Sequence, residues 1–189
     1  MFGKLWHREQ QRTRQVLASV AQALSKYNRK DLDAEEATLH ALDAAIALSE
    51  QDVRLVSRLE SLKAEVVTAQ LGVNPYTLEK HAVGRRQMRN TVAYRVLQGM
   101  QTLFAEEDAT IEAKLREAEA TIAQILLSAL QSGLLTQSAL DATEPPVIWK
   151  AVEADHNLFV AKKKVLLAVG IYDALILCDQ VIAGLRSPQ

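Results

Sequence analysis

Four histidines, one cysteine and 23 acidic side chains are the groups in this 189-residue chain that chemistry could use. Glu153-Ala154-Asp155-His156 forms a Glu-x-x-His pair. On a continuous helix that spacing sets a carboxylate and an imidazole one turn apart on one face, the unit that carboxylate-bridged di-iron bundles use twice, with two further glutamates. Glu36 and His40 lie four apart instead of three, so the second copy is missing and no metal is expected. The chain has no Gly-x-x-x-x-Gly-Lys-Ser/Thr loop, no Gly-x-Gly-x-x-Gly turn, no Gly-x-Ser-x-Gly elbow and no Cys-x-x-Cys pair. Nucleotide and acyl-transfer chemistry therefore lack their usual cradles and nucleophiles. Cys178 sits between Leu177 and Asp179 in the most apolar stretch, where a thiol packs more often than it attacks. No catalytic residue and no cofactor is expected.

His40 lies in Leu39-His40-Ala41-Leu42-Asp43-Ala44-Ala45. Over these few residues the chain is similar to histidine phosphotransfer domains, which are helical bundles with an exposed phosphoryl-accepting histidine. The resemblance implies that role for His40. The sequence departs from the pattern at Asp43 and Ala44, which stand where that family carries lysine and glycine. A carboxylate at 43 repels phosphate instead of holding it.

A second cluster suits contact rather than catalysis. Phe2, Leu5 and Trp6 fall together on a helical projection, and Lys4, Arg8, Arg12 and Arg14 follow closely. Apolar and basic residues in this arrangement fit an anionic bilayer surface or an acidic partner helix. The competing reading extends the buried stripe of the first helix through Val16, Val20 and Leu24.

The elements that carry these residues are helices. Sustained period-2 alternation is absent, and the 7 Gly and 4 Pro gather mostly at boundaries. The pattern predicts a first helix over about Lys4 to Tyr27, with a turn at Asn28 to Asp31. A second helical stretch covers about Leu32 to Leu71, interrupted or bent near Ser49-Glu50-Gln51-Asp52, which has capping-box spacing. Gly72-Val73-Asn74-Pro75 marks a boundary, followed by helices over about Pro75 to Phe104 and Ala109 to Gln131 that could also be one. Ile111, Leu115, Ala118, Ile122, Ile125 and Ala129 step by fours and threes, the spacing of a coiled-coil seam. After Ser132-Gly133 a short connection reaches Thr143-Glu144-Pro145-Pro146, whose prolines suit the start of a last helix that runs to about Leu185 at the centre of the bundle. Val165 to Leu185 is long enough to span a bilayer and follows Lys162-Lys163-Lys164, but Asp173 and Asp179 oppose that and instead need partners inside a bundle, for which the third-helix arginines are the expected source.

Charge is segregated although it sums to -1. Residues 1 to 30 carry seven Lys/Arg against one Glu, and residues 31 to 70 carry three against nine Asp/Glu; residues 71 to 100 carry five against one, and residues 101 to 120 two against six. Antiparallel hairpins matched across their seams explain the alternation, in preference to a ligand patch at Arg85, Arg86, Arg89 and Arg95. A net charge near zero does not favour nucleic acid. A lone cysteine and a polar N-terminus point to the cytoplasm. The expectation is one all-α domain over residues 1–189. It is a bundle of about five or six mostly antiparallel helices around one core, several long and coiled-coil-like. Its expected role is that of a noncatalytic scaffold or interaction module with a protein partner and a homo-oligomeric state. The alternatives are a peripheral membrane-surface protein using the N-terminus and a phosphorelay or metal-binding bundle enzyme.

Overall fold

The computed structural model describes residues 5–68 and 82–188, and the described residues are helical with no strand. Phe2 and the Gly72–Pro75 boundary lie outside them, as do the side chains of Arg85, Arg86 and Arg89. Among the described residues seven α-helices follow in order: α1 Trp6–Asn28, α2 Ala34–Leu48, α3 Val53–Thr68, α4 Ala82–Gln131, α5 Gln137–Ala142, α6 Pro145–Ala151 and α7 His156–Leu185, with a 3-10 turn at Val152–Ala154 before α7.

Local chemistry explains most of these limits. Asp33 caps α2: its side chain accepts from Glu36 N while the Glu36 carboxylate accepts from Asp33 N, a complete capping box. Ser49 ends α2, and Asp52 accepts from Leu55 N at the start of α3, so the break expected near residues 49–52 separates two helices. α4 runs unbroken through Asp108, which pairs with Arg14, so the two helices expected over Pro75 to Gln131 are one from Ala82 onward. Gly133, at φ +77°, closes α4 in the left-handed conformation that glycine adopts without strain. Pro145 opens α6 at a position where a missing N–H costs nothing. The single last helix expected from the pattern is divided: Asp155 caps α7 by accepting from Leu158 N, leaving α6 and the 3-10 turn ahead of it.

Two compact units are present, Gln11–Asp108 in one and Met1–Gln10 with Ala109–Gln189 in the other. The described buried side chains likewise form two clusters where one core was expected. In the 11–108 unit Val16, Val20 and Ala23 of α1 join Leu42 of α2, Leu59 of α3, and Leu97 and Phe104 of α4. Thr38 donates its hydroxyl to Ala93 O at 2.8 Å, and Tyr27 and Tyr94 stack tilted at 5.3 Å. Charge segregation is used here. Arg12 pairs with Glu107 at 3.4 Å and Asp52 at 3.7 Å, Arg14 with Asp108 at 2.9 Å, and Lys63 with Asp43 at 2.8 Å. Such pairs add little energy but select which helices are neighbours.

In the other unit the whole predicted seam of α4 is buried: Ile111, Leu115, Ala118, Ile122, Ile125 and Ala129. It shares a cluster with Leu140, Ile148, Trp149 and the inner face of α7. Each large aliphatic side chain placed there contributes roughly 1.5 to 3 kcal/mol through loss of apolar surface to water.

Candidate functional site

α7 is interrupted at Gly170, whose φ of +86° and ψ of 167° only glycine adopts readily. Before the break the buried positions are Lys162, Val165 and Val169; after it they are Asp173 and Ala174, Leu177 and Cys178, Val181 and Ile182. Continuing the first set at helical spacing would bury Tyr172, yet Tyr172 is 59% exposed. The interruption thus moves the inward stripe by about one residue, turning Tyr172 out and Ala174 in beside Asp173.

What receives Asp173 is the start of α1. Glu9 N donates to Leu5 O, so Leu5 occupies the N-cap position, and leucine has no side-chain acceptor to offer the N–H groups of the first turn. Asp173 supplies one from 166 residues away. Its Oδ2 accepts from Trp6 N at 2.7 Å, its Oδ1 accepts from His7 N at 3.2 Å, and His7 Nδ1 lies 2.5 Å from Oδ1. The carboxylate is fully buried and the His7 side chain 26% exposed. Its negative charge lies at the positive end of α1, so the dipole and the hydrogen bonds act together. Of the arginines expected to meet Asp173, Arg85, Arg86 and Arg89 have side chains outside the described residues. Asp179 lies at the exposed edge of α7.

The His7–Asp173 pair has the form of the oriented imidazole in an acid–base relay. Among the described residues no hydroxyl or thiol hydrogen-bonds to His7 Nε2, and the arrangement acts as a clasp joining α1 to α7. Trp6 completes it: the indole packs partly buried against the core cluster, and Lys114 Nζ lies 4.3 Å from its ring centroid. A second buried polar group holds the other half of α7. Lys162 Nζ donates to Trp149 O at 2.6 Å and to Glu153 Oε1 at 3.0 Å, and lies 4.8 Å from the Trp149 ring centroid.

Leu5 and Trp6 are half-buried in the clasp, and Arg8 is exposed one turn into α1. His40 is exposed on α2, with the neighbouring Asp43 paired to Lys63. That pairing raises the Lys63 pKa through the hydrogen bond and the attraction of Asp43. Glu153 and His156 do not share a helical face, because the α7 N-cap at Asp155 falls between them and Glu153 turns to Lys162. Burial pushes the Cys178 thiol up to about 12, which keeps it protonated and a poor nucleophile.

No family model matches the chain, and no curated protein or solved structure does. The site must be read from its own geometry. With Lys162 and Asp173 anchored inward, the opposite face of α7 is set outward, and that face is apolar: Leu167 is 88% exposed and Ile171 69%. α7 is long and apolar enough to cross a membrane by length and composition, and less than half of its most apolar stretch is buried. Sequence reasoning missed this face because it took α7 as a continuous helix at the centre of the bundle. Gly170 was the signal.

Proposed function

We propose that the chain is a noncatalytic helical interaction module that works by self-association and by contact with partner helices. One observation carries the reading: the most apolar helix presents Leu167, Ile171 and Tyr172 to solvent while two buried polar anchors hold its opposite side. Exposed apolar side chains grouped on a rigid element favour a packed neighbour, because covering them releases the water they order. Helices also suit this task, since one exposed face can be laid along another. The proposed setting is the cytoplasm, in keeping with a single, buried, protonated thiol. Light scattering across a concentration series tests the proposal: mass above one chain that rises with concentration agrees with it, and a monodisperse monomer throughout contradicts it.

A further inference from the structure

We infer that the outward face of α7 pairs with the same face of a second copy, antiparallel, about a two-fold axis near Ile171 and Tyr172. The inference rests on the self-association reading and names its surface. Six exposed residues define that surface: Lys164, Leu167, Ile171, Tyr172, Leu175 and Asp179. The apolar side chains lie in the middle, with a cation at one end and a carboxylate at the other. That order is self-complementary only when reversed.

Counted along the chain, Lys164 and Asp179 are equally far from the point between Ile171 and Tyr172, so with the Gly170 break of each copy beside the axis, an antiparallel register that sets Lys164 of one copy beside Asp179 of the other also brings Ile171 of one onto Tyr172 of the other. Every contact then occurs twice, as a two-fold interface requires. The parallel arrangement sets Lys164 against Lys164 and Asp179 against Asp179, two repulsions without compensation. An anionic bilayer is the other surface that could cover apolar residues beside lysine. Asp179 lies on the same exposed face and would meet the lipid phosphates, whereas a second copy supplies it with a cation. The clasp is part of the device. By turning Asp173 inward at 2.7 Å from Trp6 N, it keeps a second carboxylate out of the apolar centre of the face.

Sedimentation velocity at low salt tests this with the full-length chain and five proteins: wild type, Lys164→Glu, Asp179→Lys, the double variant carrying both, and Ile171→Glu, each first checked for unchanged helicity by circular dichroism. Each single charge reversal turns two attractions into two repulsions and should weaken dimerisation about tenfold. The double variant restores opposite charges in the same register and should recover most of that loss. Ile171→Glu places two carboxylates at the axis and should weaken dimerisation about a hundredfold or more. A double variant no better than the singles overturns the antiparallel register. Wild-type dimers indifferent to all four variants overturn this face while leaving self-association standing. A wild-type monomer at every concentration overturns both. Binding of the wild type to phosphatidylserine vesicles that Ile171→Glu abolishes, without any dimer, overturns the second copy in favour of the bilayer.

Discussion

Asp173 and His7 are 166 residues apart in the chain and 2.5 Å apart in the fold, where the carboxylate of one holds the ring of the other and accepts from its backbone N–H. A fully buried carboxylate is costly unless its lone pairs are occupied, and the first turn of α1 occupies them. Asp173→Leu removes the acceptor that the N–H groups of Trp6 and His7 share and should cost about 3 kcal/mol or more in urea unfolding. Asp173→Asn keeps one acceptor and should cost about 1 to 2 kcal/mol. Asp179→Leu, at an exposed position, should stay within about 0.5 kcal/mol of wild type. Equal losses at 173 and 179 would contradict the clasp.

Two glycines should respond in opposite directions to the same change. Neither Gly99 nor Gly170 would bring an added Cβ within 4 Å of a neighbour, so packing does not separate them. Backbone does: Gly170 lies at φ +86°, whereas Gly99 is an ordinary interior residue of α4. Gly170→Ala should destabilise by roughly 1 to 3 kcal/mol, and Gly99→Ala should stabilise by roughly 0.5 to 1 kcal/mol. Melting temperatures check the signs, at about 2 to 4 °C per kcal/mol for a chain of this size.

The α4 seam gives a third contrast. Ile122 is fully buried, and Ile122→Asp should cost several kcal/mol, on the order of 4 or more, by burying an unpaired charge. Glu119 is exposed on the same helix, and Glu119→Ala should change stability by about 0.5 kcal/mol or less. Similar melting temperatures for the two variants would refute the register.

Much of this fold was legible because it depends on near neighbours. Steps of three and four marked the seam from Ile111 to Ala129, every member of which is buried, and turn chemistry near Ser49–Asp52 and Gly133 marked real breaks. What depends on distant residues was not legible. Asp173 was marked as a carboxylate needing a partner, but no local pattern could say that the partner is the start of α1 at Trp6 and His7. Gly170 hid the rest: its interruption shifts the inward stripe of α7, so a continuous helical projection assigns the wrong face to Tyr172 and Ala174. The N-terminal residues were read as a contact cluster or a core stripe, and Trp6 is half-buried with its backbone taken up by the clasp.

The C-terminal end should loosen in acid. Ser187 N donates to Asp141 at 3.0 Å, and this backbone hydrogen bond, helped by the side chains of Gln137, Ser187 and Arg186, holds the Asp141 carboxyl below its usual range against a smaller effect of burial. A pKa lowered on folding contributes stability above the unfolded value of about 3.9 and loses it as pH falls through the folded value. The stability difference between wild type and Asp141→Asn should therefore be present at neutral pH and shrink below about pH 4, followed by urea unfolding at both pH values. A difference independent of pH would show that the carboxylate charge plays no part.

The most direct test of the account is the distance between copies. Ala183 is exposed near the end of α7, so Ala183→Cys can carry a nitroxide while Cys178 stays buried and unreactive. Centred on Ile171 and Tyr172, an antiparallel pair places the two labels about 35 Å apart at 1.5 Å per residue, to be read by pulsed electron paramagnetic resonance. A distance near that value is the expected result. A distance of about 20 Å or less, or no intermolecular coupling at all, would contradict the pairing of α7 with its own copy.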